Sequence, residues 1–358
     1  MSDALASLAD RVRAAGAQRT PLQIRAGGTK DFYGNTPRGE VLDPRVLQGI
    51  IAYEPEELVI TAFAGTSLDE IEATLASRGQ MLAFEPPHYG TSATIGGCIA
   101  AGLAGPRRAS FGYSYGSVRD FLLGARLLDG HGQVLSFGGT VIKNVAGYDV
   151  ARILAGSLGI LGVIVDVSLK VLPRPVCENT LRFEMDESTA LGKLNAWGGE
   201  PLPISASAWS QGVVTLRLSG ANAAVASAIT RLGGERIDPA AADAFWRDVR
   251  EHTDRFFAGG EALWRLSVPS TAKPLGLGRP ELIEWGGALR WLRTNEPARE
   301  IRGRAQRLGG HATLFRGGDR SQGVFTALTP ALAAIHQRLK AQFDPHGIFN
   351  PGRMFDAL

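Results

Sequence analysis

The chain has 358 residues, of which 44% are hydrophobic and 20% are charged, and this length favours two folded domains over a single core. Its net charge of +3, without lysine and arginine clusters between aromatic residues, argues against a nucleic-acid-binding protein. No apolar run reaches the roughly 18 residues of a membrane-spanning helix, and the N-terminus is too charged for a signal peptide.

The N-terminal segment predicts a small unit of strands and helices. Leu5, Leu8 and Val12 recur at helical spacing, so we expect an amphipathic helix over residues 1–16. Ser67 followed by Glu70 has the spacing of a capping box and predicts the start of a second helix. Apolar and β-branched runs predict strands at residues 21–25, 41–43, 47–52 and 57–63.

The stretch from Thr91 to Pro173 places many glycines between β-branched runs, which indicates backbone in close approach to another group. It predicts a short helix at residues 150–155. It also predicts strands at residues 121–128, 134–137 and 162–171. Pro173 and Pro175 interrupt the pattern, so we expect a domain boundary near Arg174.

The next segment has the order strand, helix, strand, strand, helix, strand, which is typical of a ferredoxin-like unit. The predicted elements are residues 181–185, 188–197, 203–209, 212–218, 221–232 and 263–268, with an inserted helix at residues 242–257. Three further strands are expected at residues 282–285, 289–292 and 312–315. A last helix begins at Pro330 and is capped by Thr329.

Two glycine pairs, Gly27-Gly28 and Gly96-Gly97, each follow a short apolar run, and we interpret them as two loops of one cofactor slot. Consecutive backbone N–H groups in such loops can bind an anion such as a pyrophosphate, with the hydroxyls of Thr29 and Thr94 as further donors. Each loop alone is as compatible with an ordinary tight turn. Neither fits the glycine fingerprint of a Rossmann dinucleotide site or a P-loop.

Metal and cluster chemistry receives little support from the sequence. None of the six histidines lies within four residues of another, so no local pair of metal ligands is present. Cys98 and Cys177 are too few for a four-thiolate iron–sulfur cluster, and we expect reduced thiols in a cytoplasmic protein. His88 precedes the second glycine pair and lies either near a cofactor or in a surface loop, whereas His311 and His346 are expected to be structural.

Several motifs in order resemble a known family. They are Arg25 to Lys30, Thr94 to Gly97, Pro106 to Arg108, Tyr115 to Asp120, Lys143 to Asp149, Gly156 to Gly162 and Asn350 to Met354. The chain is similar in them to the FAD-binding module of the p-cresol methylhydroxylase (PCMH) and vanillyl-alcohol oxidase type. Over nearly its whole length it resembles the smaller flavoprotein subunits of bacterial glycolate oxidases.

This resemblance implies an α+β fold: a two-lobed PCMH-type FAD-binding domain at residues 1–174, a ferredoxin-like cap at residues 175–328, and a segment at 329–358 that returns to the FAD domain. Thr29 stands where members with covalent flavin carry histidine, which implies non-covalent FAD. The implied cofactor-binding residues are Arg25, Ala26, Gly27, Gly28, Thr29, Lys30, Ala93, Thr94, Ile95, Gly96, Gly97, Gly102, Gly159, Gly162 and Val163.

The implied function is that of an FAD-binding subunit in a complex that oxidises glycolate, a small 2-hydroxy acid, to glyoxylate. The partners would be a larger related flavoprotein and an iron–sulfur subunit, in the cytoplasm or held at a membrane by partner subunits. Larger relatives carry glutamate at the position of Leu158 and a metal motif that is absent from residues 310–316. No catalytic base stands out, so we expect the isolated chain to bind FAD without being reduced by glycolate.

Two alternatives to that role remain open from the sequence. The first is a self-sufficient FAD-dependent oxidase that acts on another hydroxy acid or on a sugar. The second is a non-catalytic scaffold subunit that has lost productive flavin chemistry. Arg107, Arg108 and Lys143 are the cations nearest the glycine-rich stretch and are candidates for holding a substrate carboxylate or a phosphate.

Overall fold

The computed structural model describes residues 2–108, 116–140, 149–278 and 281–358. Its helices are α1 (Ser2–Gln18), α2 (Leu68–Ala76), α3 (Ile95–Ala101), α4 (Val118–Phe121), α5 (Glu187–Gly198), α6 (Asn222–Leu232), α7 (Pro239–Glu251), α8 (Ala298–Arg307) and α9 (Pro330–Phe343). Its first strands are β1 (Leu22–Ile24), β2 (Glu40–Leu42), β3 (Ile50–Glu54), β4 (Val59–Phe63), β5 (Gln80–Met81), β6 (Leu122–Leu128), β7 (Val134–Gly138), β8 (Val163–Lys170) and β9 (Leu172–Pro173). The later strands are β10 (Cys177–Glu184), β11 (Ile204–Ser210), β12 (Val213–Gly220), β13 (Glu235–Arg236), β14 (Leu263–Ser267), β15 (Glu281–Glu284), β16 (Leu289–Arg293) and β17 (His311–Arg316).

A five-stranded antiparallel sheet in the order β3-β4-β8-β6-β7 is the centre of the N-terminal part. Its middle strand β8 is buried on both faces, which explains why apolar residues predominate in it around the buried Asp166 and Ser168. Ile164 packs under α2 and α3, whereas Val163 and Val165 pack towards α1 and Phe349. The sheet therefore has a helical layer on each side.

Most predicted elements of this part are confirmed, with shifted ends. The first helix runs two residues past Gly16, and the predicted strand at residues 47–52 begins only at Ile50, after a 3-10 helix over Pro44–Val46. The hydroxyl of Ser67 accepts a hydrogen bond of 3.1 Å from the N–H of Glu70 and caps α2 as predicted. The helix expected at residues 150–155 is a 3-10 helix over Ala151–Leu154.

The second glycine pair was wrongly expected in a loop, because Gly96 and Gly97 lie in the first turn of α3. A glycine in a helix interior destabilises the helix by about 1 kcal/mol relative to alanine. The sequence pattern alone therefore indicates a loop. Tertiary packing offsets that cost: a Cβ atom on Gly96 would come within 2.6 Å of the Cβ atom of Ala64. Thr94 caps the helix at its start, and Gly102 ends it in the left-handed conformation with a φ of 65°.

The second part of the chain is an eight-stranded sheet in the order β13-β10-β12-β11-β15-β16-β14-β17. Every adjacent pair in it is antiparallel. Its first half, β10 to β13 with α5 and α6, has the predicted ferredoxin-like order of elements. The fourth strand of this unit is the two-residue β13, and not residues 263–268 as the sequence suggested.

Residues 263–267 instead begin a second set of four strands with the same spatial order. When the four strands of the first half are numbered along the chain, they lie in the sheet in the order fourth, first, third, second (β13-β10-β12-β11). The four strands of the second half, β17-β14-β16-β15, lie in the same order. The two halves join through their second strands, where Trp209 of β11 pairs with Ile283 of β15. Helix α8 in the second half was missed, because its exposed arginines leave only Ile301 and Ala305 as a buried face.

The C-terminal segment returns to the N-terminal sheet. The ammonium group of Lys340 in α9 is buried and donates to Asp344, to the carbonyl of Ile160 and to the carbonyl of Phe349. Phe349 then lies beside Leu22 in a parallel bridge, next to the parallel pair β1 and β2. The tail thus forms part of the wall behind the first glycine loop.

Candidate cofactor-binding site

The first glycine loop begins where β1 ends. The N–H of Arg25 still pairs with Leu42, and the guanidinium of Arg25 then holds Asp31 at 2.6 Å, which closes the loop. Gly28 takes a φ of 70°, which favours glycine. Gly27 is pressed so closely against the carbonyl of Ser92 that an added Cβ atom would lie 1.6 Å from that oxygen.

This loop presents a row of free backbone donors. Among the described residues, the N–H groups of five consecutive residues have no hydrogen-bond partner: Ala26, Gly27, Gly28, Thr29 and Lys30. They border one slot together with Thr94 and Gly97 of the α3 segment. Successive unpaired N–H groups in a turn form a concave site for an anion. The geometry suits the pyrophosphate that the sequence predicted here.

The second glycine pair contributes shape and not donors. The N–H of Gly96 donates to the carbonyl of Ala64 at 2.8 Å, and the N–H of Gly97 donates to the hydroxyl of Thr94 at 3.2 Å. The expectation of an anion nest at this pair was therefore wrong, because the carbonyl of Ala64 and the hydroxyl of Thr94 already accept from these donors. What the glycines provide is a side-chain-free surface of α3 along the slot.

The predicted residues fall into two groups. Residues 25–30, Thr94, Gly96, Gly97, Gly159 and Gly162 line the slot. The others lie behind it. Ala93 and Ile95 belong to the core under α3, Val163 packs towards α1, and Gly102 ends α3 against Gly156.

Asn350 and Arg353 also line the slot and were missed among the predicted cofactor-binding residues. The side chain of Asn350 accepts from the N–H of Ile24 at 2.7 Å and donates to the carbonyl of Leu158 at 2.6 Å. It therefore ties β1 to the opposite wall. The Asn-Pro-Gly-Arg run at residues 350–353 was the signal, but only the fold shows that the tail returns to this site.

Lys30 is a half-buried cation of the slot, which the buried Arg353 also lines. Its ammonium group donates to the carbonyl of His88 at 3.2 Å and to the hydroxyl of Thr29 at 3.4 Å. Burial lowers the pKa of Lys30, whereas burial raises the pKa of the nearby Cys98 thiol to about 12. Cys98 is therefore a neutral thiol, and the positive charge of Lys30 has no carboxylate ion-pair partner among the described residues.

The remaining sequence candidates serve other purposes. The ring of His88 contacts Asp69 at 3.2 Å and Glu72 at 3.3 Å, and it does not line the slot. Arg107 is buried in an ion-pair network with Glu85 and Glu178. Lys143 lies outside the described residues, as do residues 109–115, 141–148 and 279–280.

Comparison with known proteins also indicates an FAD-binding protein. The family model of an FAD binding domain matches residues 4–150, which include both glycine pairs. The glycolate oxidase subunit GlcE of Escherichia coli (strain K12) is 47% identical over 352 residues, 98% of this chain and 97% of that protein. The chain belongs to the GlcE family of glycolate oxidase subunits. It is an FAD-dependent oxidoreductase subunit.

Two other relatives match less than half of the chain. The glycolate oxidase subunit GlcD of Bacillus subtilis (strain 168) is 34% identical over 166 residues, 46% of this chain and 34% of that protein. The D-lactate dehydrogenase of Archaeoglobus fulgidus is 31% identical over 157 residues, 43% of this chain and 34% of that protein.

The solved structure of an alkyldihydroxyacetonephosphate synthase superposes with a TM-score of 0.65 at 16% identity, covering 96% of this chain and 75% of that one. At this identity the likeness concerns the fold alone. It confirms the predicted α+β class with a PCMH-type FAD-binding fold. In the described ranges, no helix is long and apolar enough to cross a membrane, and no group of three potential ligands could hold a metal ion.

Proposed function

We propose that this chain is the FAD-binding subunit of a glycolate oxidase complex that converts glycolate to glyoxylate and passes electrons to an iron–sulfur partner. The observation that carries the proposal is the row of five N–H groups at residues 26–30 that have no partner among the described residues, in a loop that borders the same slot as Gly97 of α3. Full-length similarity to a glycolate oxidase subunit supports the choice of substrate and complex.

The residues of the slot have separable tasks in this proposal. The N–H groups of residues 26–30 bind the pyrophosphate, while Gly97 and Gly159 leave room for the rest of the cofactor. Asn350 fixes the distance between the two walls, and Lys30 supplies a positive charge. The flavin, when bound, supplies the capacity to accept a hydride, and the protein supplies position and electrostatics.

Onward electron transfer requires other subunits. Cys98 is buried in α3 and Cys177 begins β10, so the two free thiols lie on different parts of the fold. A cluster held by four thiolates needs more ligands than these. The proposed partners are a larger related flavoprotein and an iron–sulfur subunit. We propose the cytoplasm as the location, where thiols such as these stay reduced.

The proposed division of the chain places the FAD-binding domain at residues 1–174, the cap at 175–328 and the returning segment at 329–358. The five-stranded sheet, the eight-stranded sheet and helix α9 lie in these three ranges respectively. The clusters around Ile164 and around Leu216 each lie in one part and support the division, while a third cluster with Leu158 and Trp291 joins the two parts.

Anaerobic mixing with glycolate tests the division of labour. We expect the flavin absorbance of the isolated chain to persist, because residues 310–316 lack the motif that larger relatives carry for the metal and the substrate. The flavin should be reduced, and glyoxylate should form, when the larger flavoprotein and the iron–sulfur subunit are added. Rapid bleaching of the isolated chain would instead support the self-sufficient oxidase. A folded chain without FAD would support the scaffold subunit.

The mode of attachment is a second test. We expect FAD to be released when the protein is denatured in acid, because Thr29 stands in the loop position where covalent members carry histidine. Absorbance at flavin wavelengths should appear in the supernatant after precipitation. Yellow colour that stays with the precipitate would contradict non-covalent binding.

A further inference from the structure

A cluster of charged side chains lies where the two halves of the eight-stranded sheet meet, and we name it the seam cluster. Glu281 begins β15 in the second half and is only 6% exposed. Glu187 is the first residue of α5 in the first half, and Arg290 of β16 is fully buried. None of these three residues lines the cofactor slot, so FAD binding does not explain their burial.

The guanidinium of Arg290 is held by the backbone of the second half. It donates to the carbonyl groups of Lys273 at 2.7 Å, Ala272 at 2.5 Å and Gly287 at 3.2 Å. Its Nη1 atom lies 3.9 Å from the Oε1 atom of Glu187, which is too long for a hydrogen bond. The hydrogen bonds of Arg290 to the described residues therefore go to carbonyl oxygens, while its positive charge acts on the carboxyl groups of the seam cluster.

Two buried carboxyl oxygens of the seam cluster have no hydrogen-bond partner among the described residues. They are the Oε2 atom of Glu281 and the Oε1 atom of Glu187. A buried polar atom without a partner costs about 1–3 kcal/mol, so native proteins rarely leave one unpaired. Two ionised carboxylates can only accept hydrogen bonds, whereas a protonated carboxyl group can donate one to its neighbour. A single proton would therefore satisfy both oxygens.

The surroundings of Glu281 favour its protonated form. Burial and, after it, the charge of Glu187 raise the pKa of Glu281 to about 8, although Arg290 acts in the opposite direction. Burial also raises the pKa of Glu187, against the effect of Arg290 and with a contribution from Asp186. Of the other charged residues on these segments, Asp186 caps α5 and Lys273 is exposed. At neutral pH the two glutamates therefore hold one proton between them.

The seam cluster lies beside the contacts that hold the two halves together. Strand β15 pairs with β11 of the first half, and the hydroxyl of Ser210 in β11 donates to the carbonyl of Glu281 at 3.1 Å. On the helical side, the side chain of Asn195 in α5 donates to the carbonyl of Ser270 at 2.9 Å. Because α5 belongs to the first half and β15 to the second, repulsion between Glu187 and Glu281 acts directly across this junction.

We infer that Glu187 and Glu281 form a proton-dependent latch between the two halves of the eight-stranded sheet. One proton held by the two carboxyl groups keeps α5 docked against the second half. When that proton is lost, two carboxylates repel each other at the junction with the single charge of Arg290 to balance them, and the halves open locally. The latch lies outside the cofactor slot and does not depend on the proposed function.

Amide hydrogen exchange of the full-length chain, followed by mass spectrometry, tests the latch. The pKa of Glu281 in the folded chain lies above its ordinary value of 4.5, so the stability that its proton contributes is complete below about pH 4.5 and is lost as the pH rises to about 8. Glu281→Gln keeps the size of the side chain but cannot ionise. Relative to this variant at the same pH, we expect opening of α5 and β15 in the unaltered chain to increase at least about tenfold between about pH 5 and about pH 8.

Glu187→Gln removes the neighbouring charge and leaves Glu281 able to ionise, so we expect a smaller increase in opening over the same pH range. The side chain of Glu187 is 23% exposed, so this variant tests the latch even where Glu281→Gln does not fold. Glu300→Gln is the matched control on α8, where Glu300 is 53% exposed, and should behave as the unaltered chain does. A constant ratio of opening between the unaltered chain and Glu281→Gln at every pH, as a purely structural role predicts, would overturn the latch. So would an undiminished increase in Glu187→Gln.

Discussion

The Gly97→Asp variant is expected to purify as a folded protein that does not retain FAD. Gly97 lies on the face of α3 that borders the slot, and an added Cβ atom would meet only the Thr94 hydroxyl, at 3.2 Å. The helix can therefore accept the side chain, but its carboxylate would occupy the slot and repel the phosphates. We expect affinity for FAD to fall by at least about 100-fold, which corresponds to roughly 2.7 kcal/mol. Flavin absorbance per protein after gel filtration measures the effect.

Two comparisons make this result specific. Gly192→Asp is the matched control, since Gly192 lies exposed in α5 with open space around its Cα atom. It should retain FAD fully. Gly28→Asp should also lose FAD, because Gly28 has a φ of 70° and its Cβ atom would lie 2.3 Å from Arg25. Full retention of FAD in both slot variants would refute the proposed site.

The second large effect is expected on stability, from Glu85. Its buried carboxylate accepts from Arg217 at 2.9 Å and from the backbone N–H of Arg107 at 3.0 Å. Glu178 completes the network from β10, so the ion pairs join the N-terminal part to the eight-stranded sheet. Glu85→Gln removes one of the two carboxylates that face two buried arginines. Removing one partner of a buried pair typically costs 3–5 kcal/mol, and we expect about 3 kcal/mol here because Glu178 remains.

Denaturant unfolding monitored by tryptophan fluorescence at pH 7 measures this loss. Glu56→Gln is the control, because Glu56 is exposed and should change the free energy of unfolding by less than about 0.5 kcal/mol. An unchanged midpoint for Glu85→Gln would show that the network contributes no net stability. Loss of FAD binding is not expected, since Glu85 does not line the cofactor slot.

The same network predicts how stability depends on pH. The charges of Arg217 and Arg107 outweigh burial and hold the pKa of Glu85 at about 2, below its ordinary value of 4.5. The carboxylate thus contributes its full stability above about pH 4.5 and loses it as the pH falls towards 2. The difference in the free energy of unfolding between the unaltered chain and Glu85→Gln should therefore become smaller from pH 5 to pH 3. A constant difference would contradict the assigned pKa.

Local patterns in the sequence determined much of this fold. Strand periodicity located β4, β6, β8 and β12, because alternating or continuous apolar runs reflect burial on one or both faces. Ser67 and Thr329 marked helix starts, because their hydroxyls cap free N–H groups within the next turn. The first glycine loop was also predictable, since its φ angles and its contact with Ser92 require residues without side chains.

Tertiary structure alone decided the remaining features. Gly96 and Gly97 lie in a helix because packing against Ala64 and the Thr94 cap outweigh the low helix propensity of glycine. Their N–H groups therefore donate to the carbonyl of Ala64 and to the hydroxyl of Thr94. Ile24, Leu158 and Asn350 lie far apart in the chain and form no motif. They meet because the C-terminal tail returns to the N-terminal sheet, where Asn350 accepts from the N–H of Ile24 and donates to the carbonyl of Leu158. Long-range pairing of this kind leaves no periodic signal in any short window of sequence.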